Sequence, residues 1–301
     1  FVATSLALRD PVLSSEVVDP SRVLTEPARR NTLGAQCWLL ASLLARGHQD
    51  ATLAILTADH RIGEPERFRD CLSAAMTVAE EQGGIVTIGV PPDRPETGYG
   101  YIEEDASIRV TAEGRVAARS HAFREKPSPA TAEEFVAAGN FLWNSGMFFY
   151  TMRGFLAELL AAQPEAHEAT LETAVALGRG DEAAAVKAFE RLPNLSVDYA
   201  VMEHAQKVFV IRSDFPWDDV GAWDAMARTF PADESGNVVD GDAILLESHD
   251  CIVVNESGST VVGALGLRDI VVVMAKDAVL VCPKDQAQRV RLLAQAFAQR
   301  G

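Results

Sequence analysis

Ala51 to His60, ATLAILTADH, carries the reading that decides the fold. Its first seven residues, Ala51 to Thr57, form an unbroken apolar run of strand length, the pattern of a strand covered on both faces, and predict a central strand ending at Ala58-Asp59-His60. Asp59 then sits at the carboxyl end of a strand, where open α/β sheets bind their ligands. Pro65 opens a helix whose apolar positions Phe68, Leu72, Ala75, Met76 and Ala79 recur at three- and four-residue spacing. Gly83-Gly84 stops that helix before a second strand, Ile85 to Val90. Strand-length runs alternating with helical patterns predict an α/β class and a largely parallel sheet.

Working outward, Phe1-Val2-Ala3-Thr4 reads as the middle of a buried strand with no initiating methionine before it, so a segment upstream of Phe1 is expected. Met152 to Leu192 is Ala- and Glu-rich with breaks at Pro164 and Gly178 to Gly180, which predicts three short amphipathic helices. Pro231 to Asp240 reads as a polar connector. After it, Ala243–Glu247, Cys251–Asn255, Thr260–Val262, Ile270–Met274 and Ala278–Cys282 predict a small β-rich appendage. Asp285 to Arg300 closes the chain as a helix whose Val290, Leu292, Leu293 and Phe297 can cover the appendage or a partner subunit, packing within the chain being the favoured use.

The 301 residues and their 48% hydrophobic, 7% aromatic content support a substantial core. With 27 basic against 43 acidic residues the net charge is −16, a field that repels nucleic acid and anionic membranes. Cys37, Cys71, Cys251 and Cys282 show no Cys-x-x-Cys spacing and read as reduced thiols of a cytoplasmic protein. No apolar stretch approaches the length of a membrane span, and no signal peptide is expected.

Four motifs exceed what scaffold requires. Trp217-Asp-Asp-Val-Gly-Ala-Trp223 sets two tryptophans around adjacent carboxylates, which reads as half of a metal site or as a helix N-terminus capped by Asp218 or Asp219. Glu96-Thr-Gly-Tyr-Gly-Tyr-Ile-Glu103 flanks a tyrosine with glycines, suiting close approach to a sugar or a hairpin turn. Phe123-Arg-Glu-Lys-Pro127 offers a cation for an anion and an acceptor for hydroxyls, or a solvated ion pair. Trp143-Asn-Ser-Gly-Met-Phe-Phe149 reads as a polar rim before an apolar strand, or as an Asn-Ser-Gly turn.

Together with Glu26-Pro-Ala-Arg-Arg-Asn-Thr32, Thr57 to His60 and Ser196 to Glu203, these motifs resemble the mannose-1-phosphate guanylyltransferases, in order and over nearly the whole chain. The resemblance implies a Rossmann-like mixed sheet of the nucleotide-diphospho-sugar transferase type, with a small C-terminal β-helix-like domain. Its boundaries would be 1–232 for the nucleotidyltransferase domain and 233–301 for the β-rich domain. It implies GTP plus mannose 1-phosphate giving GDP-mannose and pyrophosphate. It makes Asp59 and Asp219 Mg²⁺ ligands and catalytic residues, one from each half of the sheet. Lys126 would face phosphate, Gly98, Tyr99, Glu125 and Asn144 would hold the sugar, and Glu26, Asn31 and Thr32 would fall in the base-recognition segment. Separately, the apolar positions of the closing helix leave a homodimer through the tail as an option.

The attacking phosphomonoester has a second pKa of about 6 and is largely anionic at neutral pH, so no general base is needed. Catalysis then reduces to alignment and charge neutralisation. One departure stands out: the resembling family carries a Gly-rich Arg/Lys loop for the triphosphate, and nothing in this sequence matches it. Gly263-Ala-Leu-Gly266 does not substitute for it. The 301 residues alone are therefore expected to turn over poorly. The alternatives are another hexose-1-phosphate nucleotidyltransferase or a sugar-nucleotide-binding homologue without chemistry.

Overall fold

The computed structural model describes residues 1–298. Contacts divide the chain into two units, one of Phe1–Thr57 with Pro65–Asp214, the other of Ala58–Glu64 with Phe215 onward, a different partition from one drawn after residue 232. The strands are β1 (Val2–Ser5), β2 (Val23–Glu26), β3 (Thr52–Ile55), β4 (Arg61–Ile62), β5 (Ile85–Val90), β6 (Gly100–Ala112), β7 (Arg115–Glu125), β8 (Phe141–Thr151), β9 (Val208–Arg212), β10 (Trp217–Asp218), β11 (Val238–Asp240), β12 (Ala243–Leu246), β13 (Ile252–Asn255), β14 (Val262–Leu265), β15 (Ile270–Met274) and β16 (Val279–Pro283). The α-helices are α1 (Arg9–Ser14), α2 (Asn31–Ala45), α3 (Pro65–Gln82), α4 (Pro129–Ala138), α5 (Met152–Ala162), α6 (Pro164–Gly178), α7 (Glu182–Phe189), α8 (Ala225–Thr229) and α9 (Val290–Ala298).

The first unit is built on a six-stranded sheet in the order β3-β8-β5-β9-β7-β6. Only β5 and β9 pair in parallel in it; the other neighbours are antiparallel, so the sheet is mixed rather than largely parallel. One cause is the long β6–β7 hairpin, which turns at Glu113-Gly114 with both residues at positive φ, the geometry of a tight primed turn. Strand β3 lies at the edge, paired with β8, and Leu56 just beyond it is 45% exposed; the expectation of a central strand fails there. An apolar run marks burial by whatever packs on it and cannot by itself distinguish an edge position from a central one. The central role belongs to β5, all six residues of which are buried.

Helices α5, α6 and α7 match the three expected between Met152 and Leu192, and α3 begins at the expected Pro65. The core gathers Leu33, Leu40, Leu142, Phe155 and Phe189 with Tyr150, whose hydroxyl donates to Gln36 at 2.9 Å. At the chain's start, β1 pairs in parallel with β2, but Phe1 is exposed and only Thr4 of β1 is buried, so this is not the interior of a buried strand. Among the described residues each of these two strands has only the other as a strand partner.

In the second unit, β11, β13 and β15 run parallel in one sheet, closed by antiparallel β16, while β12 and β14 pair in a second sheet. Successive turns of chain thus stack as β-helical rungs. Buried asparagines tie their corners: Asn237 accepts from Cys251 N and donates to Ser248 O, and Asn255 Nδ2 donates to Asp242 O. Strand β11 lies inside the segment expected to be a connector, because Val238 joins the core formed with Ile252 and Val271. The closing helix begins at Val290 after a 3₁₀ stretch, and its expected end at Arg300 lies outside the described residues. Leu292, Leu293 and Phe297 are 46–59% exposed, so the expected packing within the chain does not use these positions.

Candidate active site

In the first unit the polar groups converge on a bulge in β8. Against β5 the register slips between Thr87 and Gly89, and Gly146 adopts φ 70°, a value that an L side chain rarely takes. Asn144-Ser145-Gly146 is therefore a bulge inside an interior strand rather than an isolated turn. It turns Asn144 so that its Oδ1 accepts from Thr87 Oγ1 and from Gly146 N, both at 3.2 Å, while its Nδ2 donates to Asp198 at 3.0 Å.

Glu125 and Lys126 lie at the end of β7. The Glu125 carboxylate is largely buried and pairs with Lys126 Nζ at 2.9 Å. Burial works against the Lys126 charge, but Glu125 outweighs it and the ammonium's pKa is raised. Lys126 N donates to Tyr99 O, and Tyr99 packs edge-on against Trp143 at 5.2 Å. Gly98 stands in the same loop, its N–H donating to Glu96 Oε1. At Gly100 a Cβ would meet Glu125 Oε2 at 2.5 Å, so this glycine makes the room that the carboxylate occupies. Gly98, Tyr99, Glu125, Lys126 and Asn144 are thus linked through β6, β7 and β8.

Two acids were absent from the sequence-derived site. Asp198 opens a five-residue π-helical turn, in which Glu203 N donates to Asp198 O, and Glu203 Oε1 accepts from Glu125 N. Burial, and then the charge of Glu125, pushes the Asp198 carboxyl up to about 6. Both residues stand in the Ser196–Glu203 motif, which was a signal of position only; nothing local says which strand it meets.

Glu26, Asn31 and Thr32 line one cavity of about 780 Å³ together with Arg29, Arg30 and Asn194. Glu26 is pushed up to about 6 by burial. Asn31 starts α2 at φ 56°, its Oδ1 accepting from Thr32 N. Thr32 Oγ1 accepts from Val197 N at 2.9 Å, which ties this cavity to the residue beside Asp198.

The second unit holds Asp59 and Asp219. Neither belongs to the six-stranded sheet, so the expectation of one ligand from each half of it is corrected. They flank the short antiparallel ladder of β4 and β10, in which Trp217 pairs with Ile62 and Asp218 with Arg61. His60 follows Asp59, and Trp217 Nε1 donates to its Nδ1 at 3.1 Å. Burial lowers the His60 pKa, and the charges of Asp59, Asp219 and Asp218 oppose that shift. Asp218 is taken by Arg228, which donates to both of its oxygens. The helix-capping alternative is not what forms: Asp218 and Asp219 accept from Val220 N and Gly221 N in local turns, and α8 starts only at Ala225.

The nucleotidyl transferase family model matches residues 16–236, and a MannoseP isomerase/GMP-like beta-helix domain matches residues 241–295. The chain belongs to the nucleotidyl transferase family. Among its relatives, the alginate biosynthesis protein AlgA of Pseudomonas aeruginosa is 38% identical over 93% of this chain and 57% of its own length. The mannose-1-phosphate guanylyltransferase of Klebsiella pneumoniae is 37% identical over 90% of this chain and 57% of its own. The chain thus spans little more than half the length of these relatives. The crystal structure of a mannose-1-phosphate geranyltransferase from Thermus thermophilus superimposes with a TM-score of 0.82 at 35% identity, covering 98% of this nucleotidyl transferase chain and 84% of its own.

Proposed function

We propose that this nucleotidyl transferase is a mannose-1-phosphate guanylyltransferase, moving a guanylyl group from GTP to mannose 1-phosphate and releasing pyrophosphate. The observation that carries the reading is the linkage of Tyr99, Glu125, Lys126 and Asn144 around the β8 bulge, next to a cavity lined by Glu26, Asn31 and Thr32. Acceptors and amides suit sugar hydroxyls, and Lys126, kept protonated by Glu125, suits the phosphate. Guanine presents donors on its edge, which Glu26 and Asn31 can accept. The relatives' names point the same way.

For the divalent ion we propose Mg²⁺ on Asp59 and Asp219. Both offer hard carboxylate oxygens beside one imidazole, and Arg228 removes Asp218 from contention. Among the described residues no three His, Cys, Asp or Glu side chains group as a metal site. A two-carboxylate set suits Mg²⁺, which keeps phosphate oxygens and waters as its other ligands. When bound, the ion would supply charge neutralisation at the phosphates. The protein's own residues orient the sugar phosphate through Asn144 and Glu125 and balance its charge through Lys126; with the attacking oxygen already anionic, no side chain need take a proton.

We divide the function into a catalytic domain over 1–232 and a β-rich domain over 233–301, a reading supported by the change of family match between 236 and 241. The exposed Leu292, Leu293 and Phe297 support a homodimer through the tail, and four free cysteines support a cytoplasmic setting. No described helix is long and apolar enough to cross a membrane. The test is pyrophosphate release by the full-length protein with Mg²⁺ and a panel of nucleoside triphosphates and hexose 1-phosphates. Turnover best with GTP and mannose 1-phosphate is expected. Preference for another pair would replace the substrate assignment, and GDP-mannose binding without turnover would replace the enzyme by a binding protein.

A further inference from the structure

We propose that Asp198 is a specificity-determining residue that accepts hydrogen bonds from hydroxyls of the hexose, so that the sugar is read by two carboxylates, Asp198 and Glu125, on either side of the Asn144 amide. The proposal rests on the sugar-phosphate reading above and adds a residue and a role to it.

Three observations carry it. First, Asn144 is locked: Thr87 Oγ1 and Gly146 N both donate to its Oδ1, so its amino group must face Asp198, which takes one of its two hydrogens. The second hydrogen and the remaining face of the Asp198 carboxylate point to a ligand with both donors and acceptors, which a hydroxyl is. Second, the carboxylate is under-supplied. An ionised carboxylate offers about four acceptor positions, and among the described residues those of partly buried Asp198 meet only Asn144 Nδ2 and its own backbone N–H. Those remaining acceptor positions can take hydroxyl donors from a bound sugar. Third, the charges select the class of ligand. Asp198 and Glu125 bring two negative charges against the single ammonium of Lys126, and the Glu125 charge helps to raise the Asp198 carboxyl. Two acids would repel a phosphate placed at Asp198, so this end of the site suits the neutral ring and leaves the phosphate to Lys126.

The groups facing Asp198 are Glu125 and Lys126 from the end of β7 and Asn144 from β8. Thr32, through Val197, anchors the turn that carries Asp198. The backbone that places Asp198 is therefore held independently of its side chain, and a change of that side chain leaves the turn in place.

The experiment compares wild type, Asp198→Asn and Asp198→Ala in the full-length protein. It uses mannose 1-phosphate and its monodeoxy analogues, with KM and kcat for both substrates, calorimetric Kd values and Tm. Asp198→Asn is expected to raise KM for mannose 1-phosphate by about 10- to 100-fold with KM for GTP unchanged and Tm not lowered. The analogue lacking the hydroxyl that Asp198 holds should bind wild type poorly, yet bind the variant as well as mannose 1-phosphate does. A variant that discriminates among the analogues as wild type does, or that weakens GTP and every sugar alike with a lower Tm, would overturn the proposal while leaving the function intact. A wild-type protein that binds none of the hexose 1-phosphates would overturn the function and this proposal together.

Discussion

Asp219 and Gly100 show how single residues carry the two halves of the proposed chemistry. Asp219 stands after β10 beside His60, partly exposed, with its backbone shaped by a local turn rather than by the core. Asp219→Asn preserves volume and the turn's acceptor while removing the charge. Turnover should fall by roughly 100-fold or more, as expected when a divalent ion loses a charged ligand, while Tm moves by less than about 2 °C. Retained turnover in a steady-state assay would remove Asp219 from the metal assignment. Gly100→Ala tests the other half. Its Cβ would sit 2.5 Å from Glu125 Oε2, so the carboxylate must leave its place. KM for mannose 1-phosphate should rise by about 10-fold while KM for GTP holds. An unchanged sugar KM would show that Glu125 does not touch the sugar. Asp219 was legible as a candidate from its motif, because an acid pair beside tryptophans is locally unusual, whereas Gly100 stood in its motif without a role of its own. Asp198 was not legible, because an aspartate in Ser-Val-Asp-Tyr is unremarkable until the fold sets it against Asn144.

At the scale of elements, the β8 bulge positions Asn144, and Gly146 lets the backbone adopt the bulge without strain. A Cβ at Gly146 would meet nothing closer than Thr57 Cγ2 at 3.9 Å, so the cost of Gly146→Ala comes from φ 70° alone. That cost is about 1–2 kcal/mol, a Tm drop of roughly 2–8 °C by calorimetry, with sugar affinity falling if the bulge relaxes. A Tm equal to wild type would mean that the strand adapts freely. Helices α3, α5, α6 and α7 and the strand β5 were read nearly to their ends, since their apolar spacing and their Pro and Gly boundaries are local signals. The edge position of β3, the bulge in β8 and the strand β11 were not. Each depends on which distant strand pairs where, and the bulge in β8 leaves a continuous apolar run on either side of it.

For the molecule as a whole, net charge and pH bear on stability. The Asp198 carboxyl is raised to about 6 from an ordinary value near 3.8. The folded state therefore binds more protons than the unfolded one between those values, and this group's contribution falls as pH rises from about 4 to 6. Asp198→Asn removes that penalty, so its Tm measured against pH should gain on wild type across that window. The gain should reach on the order of 3 kcal/mol at neutral pH. A constant difference between the two curves would contradict the raised pKa. The tail makes a separate prediction: Leu293→Glu with Phe297→Glu should convert a dimer to a monomer in light scattering while leaving the far-ultraviolet circular dichroism unchanged. A wild type already monomeric at micromolar concentration would remove the homodimer from the reading. The α/β class, helices α3 and α5 to α7, the β-rich tail and the kinship with nucleotidyl transferases were determined by sequence alone, because periodicity, turn residues and short motifs are properties of neighbouring residues. The tertiary structure decided the mixed sheet, the pairing of β4 with β10 that brings Asp59 near Asp219, and the meeting of Asp198 with Asn144. Those follow from strand register and long-range burial, whose energies belong to pairs of segments far apart in the chain and leave no trace in either segment read by itself.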